Sequence, residues 1–255
     1  MVAAIAIVDD GDGPIVATAI HDGHALRAEC AALVKLDESA RLREEDPFTG
    51  RIAAGVPARL VATRSRFEVD LNRPRDKALY ASPEDCWGLE VWREPPSREL
   101  LDRSLAAYDE FYSILERVLR ERERRYGRFV VLDIHSYNHC RDGAGCAADP
   151  QANPEVNVGT GTVDRSRWGS LIERFCRDLA AQNGGLDVRE NVKFQGGHMS
   201  RWIHQRFPTT GCALALEFKK TFMDEWTGVA DDDHLARLAR AVAATLPGLT
   251  ESLIA

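Results

Sequence analysis

Residues 129–136 read FVVLDIHS: an almost wholly apolar run, FVVLDI at 129–134, followed at once by His135. An apolar run of this length is typical of a strand that is buried on both faces of a sheet. Two other runs share the pattern, PIVATAI at 14–20 and CALALEF at 212–218. We therefore predict three buried strands.

Helical patterns lie between these runs. Apolar side chains recur every three to four residues over 98–125, behind Ser97, whose hydroxyl suits an N-cap. Further helices are predicted over 165–181 and over 233–246, and the second of these begins in an acidic stretch that favours a helix N-terminus. Within the first helix, RERERR at 120–125 is interpreted as a solvated face.

Strands that alternate with helices predict an α/β fold, a mixed, mostly parallel sheet flanked by helices on both faces. No linker or internal repeat interrupts the chain, which favours one domain over residues 1–255. The net charge of -7 argues against a nucleic-acid partner, because such partners need a basic face. No apolar run approaches the roughly 20 residues that span a bilayer, and no signal peptide is recognisable. We expect a cytoplasmic protein without a membrane partner, whose oligomeric state no surface pattern indicates.

The three predicted strands bring reactive side chains to one rim of the sheet. The first run leads into His21, the second into His135, and the third contains Glu217 near its end. In such sheets, ligands bind beyond the carboxyl ends of the strands. A catalytic zinc usually takes three ligands from His, Asp and Glu and keeps a fourth position for water. We therefore expect one zinc ion, with His21 and His135 as two of its ligands.

The third ligand should be a carboxylate, which the acidic cluster at 44–46 offers. Asp46 is favoured and Glu45 is the alternative, although ordinary turn composition explains the same residues. Asp133, two residues before His135, is a candidate acceptor for the second nitrogen of that imidazole.

Glu217 is predicted to act as the general base. A water that attacks an amide needs a group that takes its proton and passes it to the leaving nitrogen, a task suited to a carboxylate in a partly desolvated cleft. Glu217 interrupts an apolar strand, where a charge is costly unless it is paired or functional. An ion pair with Lys219 or Lys220 is the structural alternative.

Two further segments contain candidate substrate-binding residues. In RFEVDLNRPRD at 66–76, Asn72 and Arg73 follow an alternating pattern that predicts a strand. A guanidinium binds a carboxylate through two parallel hydrogen bonds, so Arg73 is assigned to an acidic substrate and Asn72 to its amide. His198 follows a Gly-Gly turn. It either donates a hydrogen bond to the developing oxyanion or packs against Trp202.

His139, Cys140 and Cys146 also lie close together in the sequence. A closed structural zinc site needs four ligands, and this spacing matches none of the usual patterns. The sequence therefore predicts no second zinc site here.

Several segments, in their order along the chain, resemble the N-formylglutamate amidohydrolase family: HDG at 21–23, VDLNRPRD at 69–76, LDIHS at 132–136, NVGTGT at 157–162, FQGGHMSR at 194–201 and ALEFKKTFMDE at 215–225. The resemblance spans about residues 15–230. It implies a mixed sheet flanked by helices and one zinc ion, as in the related zinc carboxypeptidases and aspartoacylase-type deacylases.

Position by position, the resemblance implies that His21 and His135 are metal ligands and that Asp46 is the acidic ligand between them. Glu217 matches the glutamate of the family's Leu-x-Glu element, and Arg73 matches the arginine of its Asp-x-Asn-Arg element. The implied reaction is hydrolysis of the N-acyl bond of an acidic amino acid such as N-formyl-L-glutamate, which gives formate and glutamate.

Three departures from the family pattern concern the pocket more than the metal: Asp22 for Ser, His198 for an aromatic residue, and Lys220 for Arg. They leave two alternatives open. One is an N-acyl-amino-acid deacylase or carboxypeptidase acting on another acidic substrate. The other is a degenerate member of the family that binds an acidic ligand without turnover.

Overall fold

The computed structural model describes residues 4–146 and 148–254, and within them seven strands form one sheet in the order β1-β3-β2-β4-β7-β5-β6. Strand β1 pairs antiparallel with β3 and β5 pairs antiparallel with β7, whereas the other neighbours are parallel. The strands are β1 (Ala6–Asp10), β2 (Ile15–Ala19), β3 (Ala58–Ala62), β4 (Phe129–Tyr137), β5 (Val156–Gly159), β6 (Val188–Glu190) and β7 (Gly211–Lys219).

The helices in the same ranges are α1 (Ala28–Leu33), α2 (Glu38–Glu44), α3 (Thr49–Ile52), α4 (Arg98–Tyr126), α5 (Arg165–Ala180), α6 (His198–Arg206) and α7 (Asp232–Ile254). Single 3-10 turns occur at Ala53–Gly55, Arg75–Lys77 and Pro83–Asp85. The predicted N-cap of α4 is confirmed, because the Ser97 hydroxyl accepts a hydrogen bond from the Leu100 N–H at 3.2 Å. None of the described helices combines the length and apolar content needed to cross a membrane.

Alternate residues of β4 enter two separate hydrophobic cores. Val130, Leu132 and Ile134 pack with buried side chains of α5 and α7. Phe129 and Val131 pack on the opposite face with α4 and α6. The mixed, mostly parallel sheet with helices on both faces is thus confirmed.

The three predicted buried strands are β2, β4 and β7, which lie side by side and parallel in the middle of the sheet. Strand β4 continues to Tyr137, so His135 lies within the strand and pairs in register with Glu217. Parallel pairing brings the carboxyl ends of all three strands to one edge, which explains why their reactive side chains meet.

Three local predictions were wrong. Residues 66–71 form turns instead of a strand, because the segment leaves the sheet after an isolated bridge at Arg64. Helix α7 runs past 246 and through Pro247. A proline inside a helix costs about 3 kcal/mol, but Leu249 and Leu253 beyond it are buried, and each contributes about 1.5–3 kcal/mol.

The third correction concerns the predicted solvated face at 120–125. Arg122 is only 1% exposed, and its guanidinium donates to the Gly11 carbonyl at 2.9 Å and to the Asp10 carboxylate. Three residues after buried Leu119, it lies on the inner face of α4.

Candidate active site

His21, His135 and Asp46 converge at the edge where β2 and β4 end. Asp46 Oδ2 lies 3.3 Å from His21 Nδ1 and 3.0 Å from His135 Nδ1, and one ligand atom of each residue lies within 4.8 Å of the others. All three side chains are buried. The backbone N–H of Asp46, between α2 and α3, donates to the His21 carbonyl at 2.9 Å, which holds the carboxylate against the strand ends.

A second carboxylate lies behind each imidazole. His21 Nε2 is 2.7 Å from Asp70 Oδ1, and His135 Nε2 is 3.1 Å from Asp133 Oδ2. Both Nδ1 atoms lie within hydrogen-bonding distance of Asp46, so this is the side of each ring that a metal would bind in place of the Nδ1 proton. The contact between His21 Nε2 and Asp70 is a hydrogen bond, whereas Asp133 Oδ2 lies close to His135 Nε2 without accepting a hydrogen bond from any described residue, so the acceptor role expected for Asp133 stays a prediction. Asp70 was missed, although an acidic residue between Val69 and Leu71 was a signal for it.

The local electrostatics favour an ionised carboxylate beside the two imidazoles. Burial alone would raise the pKa of Asp46, but hydrogen bonds from His135 and His21 outweigh it and hold that pKa below its usual range. Burial opposes protonation of His135, yet the neighbouring Asp133 carboxylate raises its pKa well above the usual value. Two imidazole nitrogens and one carboxylate oxygen, all held in place by the protein, form a donor set that fits zinc.

The structure separates the two candidates for the acidic ligand. Glu45 Oε2 lies 2.5 Å from His24 Nδ1, and Glu45 Oε1 accepts a hydrogen bond from the Ser65 hydroxyl. The carboxylate of Glu45 therefore points away from the two histidines, and Asp46 is the acidic residue between them.

Glu217 faces the same cavity and has no recorded ion pair within the described part of the chain. Lys219 Nζ donates to the Asn153 carbonyl at 3.1 Å, and Lys220 Nζ donates to the carbonyls of Arg43 and Glu45 at 2.6 and 2.7 Å. The ion-pair interpretation of Glu217 is therefore wrong. Burial raises the pKa of Glu217, as expected of a carboxylate that exchanges protons near neutral pH.

These side chains surround a cavity of about 150 Å³. Its lining includes the candidate metal cluster of His21, Asp46 and His135, together with Glu217, three cationic side chains, Arg66, Arg141 and Lys220, and Trp87. A larger groove of about 630 Å³ runs beside residues 75–96, and neither His21, Asp46 nor His135 lines it. The chemistry therefore belongs to the smaller, polar cavity.

The predicted substrate residues divide between the cavity and its surroundings. Asn72 lines the cavity, with its amide nitrogen 3.5 Å from His135 Nε2. Arg73 does not line it: the guanidinium donates to the Asp85 carbonyl, lies 3.5 Å from Asp70 and stacks 4.7 Å above the Tyr80 ring. Turns at 66–71 replace the predicted strand, so strand alternation does not set the direction of this side chain.

His198 also lies outside the cavity lining, as the first residue of α6. Its Nε2 is 3.0 Å from the Tyr108 hydroxyl, which itself donates to the Arg73 carbonyl at 2.9 Å, so His198 is the donor to Tyr108. Its ring packs against Tyr112 instead of Trp202. Burial lowers the pKa of His198. The contacts recorded for this histidine are structural ones.

Sequence reasoning missed Arg66 and Arg141 as cavity residues and gave Asn138 only as a weaker candidate. The three nitrogens of Arg66 are occupied by Tyr80, Glu44 and Asp70. Arg141 is half-exposed and donates twice to the Glu44 carboxylate, at 3.2 and 3.0 Å. Asn138 and Arg141 share one signal in the sequence, which is their position just after the end of β4 at Tyr137.

Comparison with known proteins places this geometry in a family. The family model described as N-formylglutamate amidohydrolase matches residues 13–223. The N-formylglutamate deformylase of Pseudomonas aeruginosa is 32% identical over 212 residues, 77% of this chain and 74% of that protein. The corresponding enzyme of Pseudomonas putida is 28% identical over 225 residues, 82% of this chain and 78% of that protein. The crystal structure of N-formylglutamate amidohydrolase from Ralstonia eutropha JMP134 has the same fold, with a TM-score of 0.80 at 18% identity over 99% of both chains.

Proposed function

This chain belongs to the N-formylglutamate amidohydrolase family, and from that premise we propose that residues 1–255 form one catalytic domain that hydrolyses the N-acyl bond of an acidic amino acid. N-formyl-L-glutamate is the proposed substrate, and formate and glutamate are the products. The observation that supports this function is the arrangement of Glu217 in one cavity with the His21, Asp46 and His135 cluster.

We assign one zinc ion to His21, His135 and Asp46, whose donor atoms and backing carboxylates fit it. When bound, zinc would lower the pKa of a coordinated water and polarise the scissile carbonyl. Asp70 orients the His21 ring through its Nε2, and both rings turn Nδ1 toward Asp46, so a bound zinc ion would take the place of the protons that these nitrogens share with Asp46.

Glu217 is the proton carrier of the proposed reaction. Its carboxylate, in register with His135 on the neighbouring strand, removes a proton from the attacking water and delivers it to the leaving nitrogen. Burial raises the pKa of Glu217, which makes its carboxylate a stronger base for the first transfer and lets the protonated form exist near neutral pH for the second. The leaving group is the amino group of glutamate.

The substrate's carboxylates are assigned to arginines. Arg141 lines the cavity with Glu44 as its partner, so a substrate carboxylate can replace Glu44 in the same two-pronged hydrogen bond. Arg73, which the sequence already assigned to an acidic substrate, is the proposed partner of the second carboxylate of the substrate. It directly follows Asn72, which lines the cavity.

Asn138 is the proposed acceptor for the substrate amide. Its side chain is 4% exposed and lines the cavity, yet its Oδ1 has no hydrogen-bond partner among residues 4–146 and 148–254. A buried amide oxygen without a donor costs about 1–3 kcal/mol. A substrate N–H would satisfy it.

The central experiment is Glu217→Gln, which keeps the side-chain size and removes the proton acceptor. We expect kcat for N-formyl-L-glutamate to fall by about 10²–10⁴-fold, with bound zinc and thermal stability unchanged. Glu173→Gln, at an exposed position of α5, should have wild-type kcat.

A substrate panel separates this proposal from its alternatives. Zinc-loaded protein is assayed with N-formyl, N-acetyl and peptidyl derivatives of glutamate and aspartate. Preference for an acetyl or peptidyl substrate would replace the formyl assignment with a deacylase or carboxypeptidase. Full activity of Glu217→Gln, or an acidic ligand that stabilises the protein without any turnover, would refute the hydrolytic mechanism.

A further inference from the structure

A second cluster of metal-ligating side chains lies outside the active site. His139 Nε2 is 3.9 Å from Cys140 Sγ and 3.6 Å from Glu225 Oε1. One ligand atom from each of the three residues lies within 4.8 Å of the others. None of them belongs to the first cluster. We propose that His139, Cys140 and Glu225 bind a second divalent cation of the zinc type.

Glu225 fixes the geometry of this cluster. Its side chain is buried, and its Oε1 accepts hydrogen bonds from the backbone N–H groups of His139, at 2.5 Å, and Cys140, at 3.1 Å. A carboxylate offers about four lone-pair sites, so two backbone amides leave capacity for a cation. The same contacts hold the imidazole and the thiol beside the carboxylate before any ion arrives.

The cluster is accessible to a cation. His139 and Cys140 are partly exposed and line a pocket of about 310 Å³ together with Glu225. A site whose ligands are already close together and open to solvent needs little rearrangement to bind an ion.

The donor set decides the class of cation. Nitrogen, thiolate sulfur and carboxylate oxygen together are typical ligands of zinc and cobalt, whereas magnesium and calcium prefer oxygen alone. Three protein ligands leave one tetrahedral position, which we assign to water. Cys146 is exposed at the end of the following turn and is not part of the cluster.

The sequence could not predict this site from spacing. His139 and Cys140 are adjacent, and Glu225 is separated from His139 by 86 positions, so no compact ligand motif exists. Pairing of β4 with β7 brings the two segments that follow these strands together. A cation here would brace the chain between Asn138 and Arg141, two residues that line the active-site cavity.

The test is a cobalt titration of the full-length, metal-free, reduced protein. Thiolate-to-cobalt charge transfer absorbs in the near ultraviolet and requires a cysteine ligand, which the first cluster lacks. We expect this absorption in the wild type and two bound Co²⁺ per chain. Cys140→Ser should abolish the absorption and remove one Co²⁺, whereas Cys146→Ser, on the same loop, should retain both.

Two further variants keep the result interpretable. Asp46→Asn should lose the other Co²⁺ and keep the thiolate absorption, which separates failure of the active-site assignment from failure of this one. Glu225→Gln retains an acceptor for the backbone amides and should weaken cobalt binding at the thiolate site by about tenfold or more. A wild type without thiolate absorption, or absorption that persists in Cys140→Ser, overturns the proposal.

Discussion

Each imidazole of the active site is held between two carboxylates, and this is the main physical constraint at the scale of single residues. Asp46 faces both Nδ1 atoms, while Asp70 and Asp133 face the two Nε2 atoms. At the proposed zinc site, carboxylates behind the rings would orient them and raise the basicity of the Nδ1 atoms. The metal affinity should therefore depend on residues that never contact the metal.

Asp70→Asn tests this dependence. The amide still accepts a hydrogen bond from His21 but carries no charge, so zinc affinity at the first cluster should fall about 10- to 100-fold. Competition against a chromophoric chelator measures it, in a Cys140→Ser background that leaves only the first cluster. Asp109→Asn removes an exposed carboxylate paired with Arg75 and should not change the affinity. Equal affinities of the two variants would contradict the role of Asp70.

Arg141→Ala tests the assignment of the substrate carboxylate. Hydrogen bonds to charged groups contribute about 1.5–3 kcal/mol, so KM for N-formyl-L-glutamate should rise about 10- to 100-fold with little change in kcat. Arg165→Ala, another half-exposed arginine paired with a glutamate, should leave KM unchanged. If Arg73→Ala raises KM and Arg141→Ala does not, the carboxylate contact belongs to Arg73 alone.

Sequence reasoning was most definite for the residues that strands position and least definite for those that loops position, where Asp46 was one of two alternatives. His135 and Glu217 lie on strands, and His21 follows one, so a rule about strand ends was enough to bring them together. Arg73 and His198 follow irregular segments, where neither period 2 nor period 3.6 sets the direction of a side chain. Asp70 and Arg141 were missed for the same reason.

At the scale of elements, α4 shows how one buried charge changes the interpretation of a charged helix. Arg122 and Arg124 occur in the same RERERR segment, but only Arg122 lies on the face three and seven residues after buried Leu119 and Leu115. The helical spacing alone places residue 122 on the buried face. Because arginine is rarely fully buried, its charge led instead to the prediction of a solvated face.

Arg122→Ala should lower the free energy of unfolding by about 2–3 kcal/mol. The buried guanidinium donates charge-assisted hydrogen bonds to Asp10 and to the Gly11 carbonyl, and the variant loses both. Arg124→Ala, which removes an exposed pair with Glu121, should change it by no more than about 0.5 kcal/mol. Denaturant unfolding followed by tryptophan fluorescence compares the two. A similar loss in both variants would contradict the burial of Arg122.

His204 couples α6 to β7 in a pH-dependent way. Its Nε2 accepts the Ala213 N–H at 2.9 Å, which requires a neutral ring, and burial lowers its pKa from 6.5 to about 4. Between about pH 6.5 and pH 4, the unfolded chain binds a proton at His204 and the folded chain does not. The free energy of unfolding therefore decreases as the pH is lowered through this range. Through His204 alone, the free energy of unfolding should decrease by about 2 kcal/mol when the pH is lowered from 7 to 5.

His204→Gln isolates this effect, because glutamine can accept the same N–H and does not titrate. Urea unfolding at pH 7 and pH 5 should show a smaller acid destabilisation in the variant than in the wild type. His234→Gln, at an exposed position, should follow the wild type. Parallel pH profiles for His204→Gln and the wild type would refute the prediction.

At the scale of the whole molecule, the proposed zinc cluster of His21, Asp46 and His135 joins segments that are distant in sequence. It connects the end of β2, the end of β4 and the segment between α2 and α3, and these contacts span 89 positions between Asp46 and His135. A ligand that binds only the folded state stabilises that state by an amount that grows with its concentration relative to Kd. Zinc removal should therefore lower the stability of the entire sheet and its helices.

Chelation should produce this loss in one measurable step. At a free zinc concentration of about 1,000 times Kd, the stabilisation is about 4 kcal/mol, and a chain of this size should lose about 10 °C in Tm when the metal is removed. Differential scanning calorimetry with and without EDTA measures the shift. Cys140→Ser retains the first cluster and should show most of the shift in Tm that EDTA causes. The double variant Asp46→Asn and Cys140→Ser should show no such shift. A wild type whose Tm ignores the chelator would contradict metal binding at both clusters, because no folded-state ligand can then be contributing to stability.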